Sequence, residues 1–220
     1  MVQHSEQPVV ATTDFFQLGS SQQPGRLSTS VDAFWIDRSN EQVYIPDDGS
    51  FEFKGPSRSY GFEAKASLEI THHLSLNAGL TKVANSFHLG TSPRIYVDSA
   101  PHFTASAGLT LAGWRGWSGS LRMRSIDHYH LDGEDPSIVA SGHTVFDLSA
   151  SRAASSAGWS SNLANRDYWG TQNYFESRLA GEPAGVFRIH GTPGYPLTAT
   201  AGITSKGSKC EGARPDLALT

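Results

Sequence analysis

The stretch Ser59-Tyr-Gly-Phe-Glu-Ala-Lys-Ala-Ser-Leu-Glu-Ile-Thr71 decides the fold class of this chain. Its even-numbered residues are apolar or aromatic, whereas its odd-numbered residues are polar, charged or glycine. Because successive side chains of a β-strand point to opposite faces, this alternation predicts a strand with one apolar and one polar face. The stretch is also about twice as long as strands in soluble proteins, which usually have about 5 to 6 residues.

The same alternation recurs along most of the chain, and helical spacing is nowhere persuasive. The clear examples are 74–81, 102–111 and 197–204. Weaker examples are 13–20, 26–38, 117–132, 144–153 and 158–169. The pattern therefore predicts about eight or nine strands.

The connections between these strands alternate between short and long. Short turns are expected near 72–73, 113–116 and 154–157, and long polar segments at 39–57, 88–101, 133–141 and 170–195. Tight turns on one side and long loops on the other are typical of outer-membrane barrels. Aromatic residues near the predicted strand ends, such as Trp114, Trp117 and Trp35, agree with two interfacial girdles. We predict an all-β fold, an antiparallel up-and-down transmembrane β-barrel segment.

Composition excludes several other classes. Lys and Arg number 17 against 21 Asp and Glu, a net charge of −4, so a basic nucleic-acid surface and a nucleic-acid partner are excluded. No apolar run reaches the 18 to 20 residues that a membrane helix needs. The lone Cys210 cannot form a disulfide framework. The first eight residues lack the basic and apolar regions of a signal peptide, so none is expected in this chain.

The candidate binding residues lie on one predicted strand, 117–132. With polar side chains facing inward, Arg122, Arg124, His128 and His130 would form a positive stripe along the lumen. Charges in a water-filled barrel tune selectivity, so the stripe is a candidate contact for an anionic ligand. The alternative is that these groups pair with carboxylates of the plug or of neighbouring strands, such as Glu63 and Glu69.

Metal binding and catalysis have weaker signals. His128 and His130 have the i, i+2 spacing of a metal pair, and a third ligand would come from Asp132, Glu134 or Asp135. Two polar histidines on an exposed rim explain the spacing more simply, so no metal site is predicted. Asp47-Asp48-Gly49 favours a tight turn over a calcium loop. Ser141-Gly142-His143, with Asp147 nearby, lacks a nucleophile elbow, and no cofactor motif is present, so neither an enzyme nor a cofactor is predicted.

Several motifs resemble one family, in the same order along alternating hairpins. They are Phe34-Trp-Ile-Asp-Arg-Ser-Asn-Glu-Gln-Val-Tyr-Ile-Pro-Asp-Asp-Gly49, Ser57-Arg-Ser-Tyr-Gly-Phe-Glu63, Tyr96-Val-Asp-Ser-Ala-Pro101, Asn162-Leu-Ala-Asn-Arg-Asp-Tyr168, Gln172-Asn-Tyr-Phe-Glu-Ser-Arg178 and Thr192-Pro-Gly-Tyr-Pro196. Together they resemble the barrel of TonB-dependent outer-membrane receptors over about 12–204.

The resemblance implies a barrel of about 22 strands in the cell outer membrane, closed by a plug domain. Such a receptor takes up a scarce nutrient, for example a ferric siderophore or cobalamin, with energy relayed by TonB. Its partners are outer-membrane lipid, TonB acting through the plug, and a small-molecule or metal-chelate ligand. No plug segment is present, so the chain is expected to be the C-terminal barrel portion, which needs the rest of the barrel. Residues 1–204 are assigned to the barrel and 205–220 to an atypical polar tail.

Two alternatives stay open at this point. A self-contained eight-stranded outer-membrane barrel, structural or adhesive, would require 26–38 to pair with 197–204 and close the sheet. A soluble β-sandwich binding module would require the apolar side chains to pack against a second sheet.

Overall fold

A computed structural model describes residues 11–45, 50–152, 156–177, 180–181 and 183–203. The Asp47-Asp48-Gly49 turn and the 205–220 tail lie outside the described residues. Nine strands form one antiparallel sheet in the order β1-β2-β5-β6-β7-β8-β11-β12-β15. These strands are β1 Thr13–Gln22, β2 Leu27–Arg38, β5 Ser57–Glu69, β6 Leu74–His88, β7 Phe103–Trp114, β8 Trp117–Ile126, β11 His143–Arg152, β12 Ser156–Ser161 and β15 Thr198–Gly202. The predicted all-β, antiparallel fold is confirmed. No helix in the described ranges is long and apolar enough to cross a membrane.

Six further strands form small hairpins inside the long connections. They are β3 Gln42–Ile45, β4 Ser50–Phe53, β9 Tyr129–His130, β10 Val139–Ala140, β13 Trp169–Glu176 and β14 Phe187–Pro193. Two predictions were wrong here. The strand expected over 117–132 ends at Ile126, and the strand expected over 158–169 ends at Ser161, since Trp169 instead opens β13.

The sheet is open, with β1 and β15 at its two edges. The eight-stranded barrel alternative required the strand at 26–38 to pair with the strand at 197–204. Instead β2 lies between β1 and β5, and β15 pairs with β12. A sheet closed in that way is therefore excluded.

The alternating stretch 59–71 forms most of β5, almost as predicted. Its residues pair without interruption with β2, and with β6 apart from one bulge between Tyr60 and Gly61. A Cβ atom at Gly61 would collide with the Lys82 carbonyl oxygen and with Phe34. A glycine at this position thus permits the close approach of the two strands.

A row of six leucines crosses the apolar face of the sheet. Each leucine is the direct cross-strand partner of the next, from β2 through β11. The row is Leu27, Leu68, Leu76, Leu109, Leu121 and Leu148. These side chains are 36 to 42% exposed. An apolar face this large and this exposed needs an apolar environment to cover it.

The opposite face is polar and lines a hollow of about 530 Å³. Small hydroxyl side chains dominate it, and Lys65 and Arg122 supply positive charge. Serines also bond across the strands, as Ser120 and Ser149 do with 2.9 Å between their hydroxyl oxygens. The alternating pattern of the sequence thus gives the sheet one apolar face and one polar face.

The buried hydrophobic side chains among the described residues are Leu131, Ala140, Val145 and Phe175. Three of them lie in the small hairpins of the long connections, and Val145 lies on β11. In the described part of the chain, no second sheet packs against the leucine row. The soluble sandwich alternative required such a layer and is not supported.

Both ends of the apolar face carry aromatic side chains. At the short-turn end Trp114 pairs with Trp117 across the turn. At the other end the rings of Trp35 and Tyr60 stack with their centroids 5.1 Å apart, and Arg58 lies over Trp35. The sequence prediction of two aromatic groups at the strand ends is confirmed for these residues.

Candidate functional site

The predicted stripe divides into an arginine pair on the sheet and two histidines beyond it. Arg122 and Arg124 lie on the polar register of β8. His128 and His130 follow the end of that strand, and His130 belongs to the small β9–β10 hairpin. The four residues therefore do not form one continuous line.

Arg122 lies on the wall of the polar hollow that Lys65 also lines. Its Cα partners are Gly108 on β7 and Asp147 on β11. Within the described ranges Arg122 makes no ion pair. Its guanidinium therefore contributes positive charge to the hollow.

Arg124 is paired with a carboxylate of the neighbouring strand. Its Nη2 lies 2.9 Å from Oδ2 of Asp147, whose side chain is only 16% exposed. The backbone N–H of Asn162 also donates to Asp147, at 3.2 Å from Oδ1. Pairing with a neighbouring-strand carboxylate was the alternative for the stripe, but the partner is Asp147 rather than Glu63 or Glu69. Glu63 instead lies 3.5 Å from Lys65 on its own strand.

His128 and His130 sit in different surroundings. The backbone N–H of His128 donates to Asp127 Oδ1 at 2.8 Å, and His128 Nδ1 lies 2.8 Å from the same oxygen. These hydrogen bonds lower the pKa of Asp127. Burial lowers the pKa of His102, and electrostatic interactions with Lys82 and His130 add to that effect. His130 thus lies within electrostatic range of His102. No group of three or more His, Cys, Asp or Glu side chains suited to a metal converges in the described residues.

The long connections interlock at the end of the sheet opposite the short turns. Lys54 Nζ lies 3.0 Å from Asp98 Oδ2, and Gly133 N donates to Asp98 Oδ1 at 2.7 Å. The side-chain amide of Gln172 donates to the Ser141 carbonyl at 3.1 Å. Bonds between different connections hold this end of the molecule together, and loops carried by a rigid sheet are the usual location of binding residues.

A cleft of about 500 Å³ lies between the β11 wall and the 162–197 connection. Arg124, Asp147, His143, Tyr168 and Tyr195 line it. The rings of His143 and Tyr168 are in contact, with centroids 4.6 Å apart. Sequence reasoning considered His143 and Asp147 only for catalysis and missed the two tyrosines as site residues.

Asn162 organises the wall of this cleft. Its Nδ2 donates to the Arg166 carbonyl at 2.7 Å and to the Tyr195 carbonyl at 3.1 Å, and its Oδ1 accepts from Arg166 N at 3.1 Å. Asn165 Oδ1 accepts from Leu197 N at 3.1 Å. The motifs 162–168 and 192–196 are therefore joined through the side chain of Asn162, and Asn165 bonds to the residue that follows the second motif. In the sequence, these two motifs were noticed only because they resemble a known family. The alternation of apolar and polar residues did not indicate that they contact each other.

A family model described as "TonB dependent receptor-like, beta-barrel" matches residues 12–164. This chain belongs to the TonB-dependent receptor β-barrel family. The family is one of receptors and transporters rather than enzymes, and its members are outer-membrane β-barrels. The predicted resemblance to this family is confirmed over residues 12–164. No curated protein matches the sequence at a significant level.

Solved structures share the fold of this TonB-dependent receptor segment. The copper transporter OprC matches with a TM-score of 0.63 and 18% identity, over 87% of this chain and 30% of that one. The ferric yersiniabactin uptake receptor FyuA from Yersinia pestis matches with a TM-score of 0.66 and 13% identity, over 87% of this chain and 29% of that one. The ferric-catecholate import receptor Fiu from K12 E. coli matches with a TM-score of 0.59 and 20% identity, over 88% and 28%. The chain spans under a third of the length of each.

Proposed function

We propose that this chain forms part of the barrel wall of a TonB-dependent receptor in the outer membrane. The complete receptor would take up a scarce nutrient, such as a ferric siderophore, cobalamin or a similar small-molecule or metal-chelate ligand. The remaining strands, a plug domain and TonB would be needed for transport. Family membership and the similarity to iron and copper receptors support this proposal.

The leucine row opposite the polar hollow is the observation that carries the proposal. In hydrocarbon every backbone polar group must be paired, and a sheet satisfies this only as part of a closed barrel. A face of exposed leucines suits lipid, and a face of serines with Lys65 and Arg122 suits a water-filled lumen. We assign residues 1–204 to this barrel wall and 205–220 to a separate tail.

Within the receptor, Arg122, Arg124, His128 and His130 are proposed as ligand contacts. Arg122 would attract an anionic ligand along the lumen, because its charge has no carboxylate partner among the described residues. Arg124 would act from the cleft beside Tyr168 and Tyr195. The histidines would act nearer the mouth, since they follow the strand end.

Membrane residence is tested by separating the membranes of Gram-negative cells that produce the chain as part of its complete receptor. We expect the receptor in the outer-membrane fraction, released by detergent and not by alkaline carbonate. Recovery of the receptor as a stable monomer in the soluble fraction would overturn the proposal.

Uptake is tested with radioactive iron supplied as ferric catecholate or ferric hydroxamate complexes to cells with and without the complete receptor that contains this chain. We expect accumulation to require both the receptor and TonB. An Arg122→Gln variant of the receptor should reduce uptake of the anionic complex, whereas Arg26→Gln, on the turn between β1 and β2, should not. Equal uptake with and without the receptor for every complex would contradict the assignment.

A further inference from the structure

A shallow apolar groove lies on the leucine face, close to the short turns. It has a volume of about 390 Å³, and its lining is almost entirely apolar. Gly119, Ala150, Leu111, Leu121 and Leu148 are among the residues that line it. Gly119 is fixed there, since a Cβ atom would lie 2.5 Å from the Ser149 carbonyl oxygen on β11. The groove is therefore a property of the backbone as well as of the side chains.

Two arginines stand at the short-turn end of this groove. The guanidinium of Arg152 lies 5.5 Å from the centre of the Trp117 ring, and that of Arg115 lies 5.4 Å from the centre of the Trp114 ring. Both tryptophans line the groove. Each arginine is thus held over an aromatic face, in a geometry that favours a cation.

Neither arginine has a carboxylate partner in the described part of the chain. The neighbouring stretches 70–74, 112–120 and 150–152 contain no Asp or Glu, although they contain His72 and His73. Arg152 also lies on the apolar register of β11, two residues after Ala150. A guanidinium in that register is costly in hydrocarbon and is accommodated where it reaches the headgroup level.

We infer that this groove binds an anionic phospholipid of the inner leaflet of the outer membrane. One acyl chain would lie over Gly119 and Ala150, between the leucines. The phosphate would sit between Arg115 and Arg152, where guanidinium groups bind phosphate oxygens in pairs. The inference rests on the proposed function, because it needs the leucine face to meet lipid and the short turns to face the periplasm.

The test uses the full chain in detergent micelles and bromine-labelled phosphatidylglycerol as the probe. Bromine on the acyl chain quenches nearby tryptophan fluorescence, so in a chain that keeps Trp114 and Trp117 and has phenylalanine at its other three tryptophans the quenching reports occupancy of the groove. We expect saturable quenching by phosphatidylglycerol and about fivefold weaker binding in Arg115→Gln or Arg152→Gln, since one basic residue near an anionic lipid contributes about that factor. The double variant should bind at least about tenfold more weakly.

Matched variants separate charge from folding. Arg26→Gln removes the same charge from another short turn and should leave binding unchanged. Lysine at both positions, Arg115→Lys with Arg152→Lys, keeps the charge but loses the paired hydrogen bonds, so this variant should bind more tightly than the double glutamine variant and more weakly than the unsubstituted chain. Glycerol phosphate alone should not displace the lipid, which distinguishes a phospholipid site from a site for free phosphate.

The failures of the two proposals look different. Equal, unsaturable quenching by bromine-labelled phosphatidylglycerol and phosphatidylcholine, unchanged in the double glutamine variant, would overturn the lipid site and leave the membrane barrel intact. A soluble chain whose tryptophans neither lipid quenches would overturn the membrane assignment itself.

Discussion

At the residue scale, Asn162 does more than its place in a loop suggests. Its side chain is almost fully buried and joins two segments that are separated by about thirty residues. Its backbone φ of 51° lies in the left-handed region, which asparagine tolerates better than most residues. Hydrogen bonding and backbone conformation therefore both select asparagine here.

We expect Asn162→Ala to lower the free energy of unfolding by about 1 to 3 kcal/mol, because it removes the hydrogen bonds that the buried Asn162 side chain donates to the carbonyls of Arg166 and Tyr195. Asn162→Gly should cost about 1 kcal/mol less than alanine, since glycine adopts positive φ without strain. Urea titration of the chain in lipid vesicles, followed by tryptophan fluorescence, measures both. Equal stability of the two variants would show that backbone conformation contributes nothing.

Asp135 gives a pH prediction in the 127–142 connection. It accepts hydrogen bonds from the Ser137 hydroxyl at 2.6 Å and from the Ser137 N–H at 2.9 Å, and these lower its pKa below the ordinary 3.8. Because the folded pKa is lowered, this local stabilisation is present above pH 3.8 and is lost as the pH falls through the lowered value. The amide resonance of Ser137 should therefore shift in that acid range. Asp135→Asn should remove the transition, and a Ser137 shift that persists in this variant would contradict the assignment.

The alternation of side chains along a strand correctly predicted that Arg122 and Arg124 lie on the polar face, because this alternation follows from backbone geometry. The partner of Arg124 could not be predicted in the same way. The carboxylate of Asp147 on β11 reaches diagonally to Arg124 on the adjacent strand β8. This contact depends on the register of the two strands, and the sequence of one strand does not determine that register. His128 and His130 were placed on the same stripe only because the end of β8 at Ile126 was not foreseen.

At the element scale, long strands were predictable and short ones were not. The 13 residues of β5 give many alternations, whereas β9 and β10 have two residues each and give none. The hairpins in the long connections are also held by contacts between connections, such as that of Gln172 with Ser141. Such contacts exist only after the sheet has brought the loops together.

The two faces of β7 make the next prediction. Leu109 belongs to the leucine row and Thr110, its neighbour, lies on the polar register with Ser75 and Ser120 as partners. In lipid vesicles Leu109→Arg should lower the free energy of unfolding by about 2 to 4 kcal/mol, because a charge near the bilayer centre is costly on a lipid-facing site. Thr110→Arg is the matched control and should cost far less. Equal costs for the two variants would mean that the leucine face does not meet lipid.

At the scale of the whole molecule, the sheet has two unpaired edges. β1 is exposed along all ten residues, and β15 has a neighbour on one side only in the described structure. Unpaired strand edges are templates for association with other strands. Closure of the barrel by further strands would cover them, and so would a second copy of the chain.

We expect the chain, when purified alone in detergent, to sediment as a dimer or larger species. Proline is substituted singly at Ser20 and at Ser21 of β1, because the N–H groups of neighbouring strand residues face opposite sides. The variant at the residue whose N–H faces the open edge should associate less and retain its β-sheet circular dichroism spectrum. The other should disturb the pairing with β2, because proline removes an N–H donor. If the unsubstituted chain sedimented as a monomer and still gave a β-sheet spectrum, this expectation would be contradicted.

Directly opposed residues of a sheet lie along a line perpendicular to the strands, and barrel strands tilt by about 35 to 45°. The six leucines span five strand spacings of about 4.8 Å, so the line climbs by about 15 Å from one end to the other. Leu27, the first residue of β2, sits beside a turn, whereas Leu148 lies four residues before the end of β11. The leucines therefore do not lie at one depth but follow a slanted line through successive layers of the bilayer. Arginine placed at each leucine in turn would show how the energetic cost of a charge varies with depth along this wall.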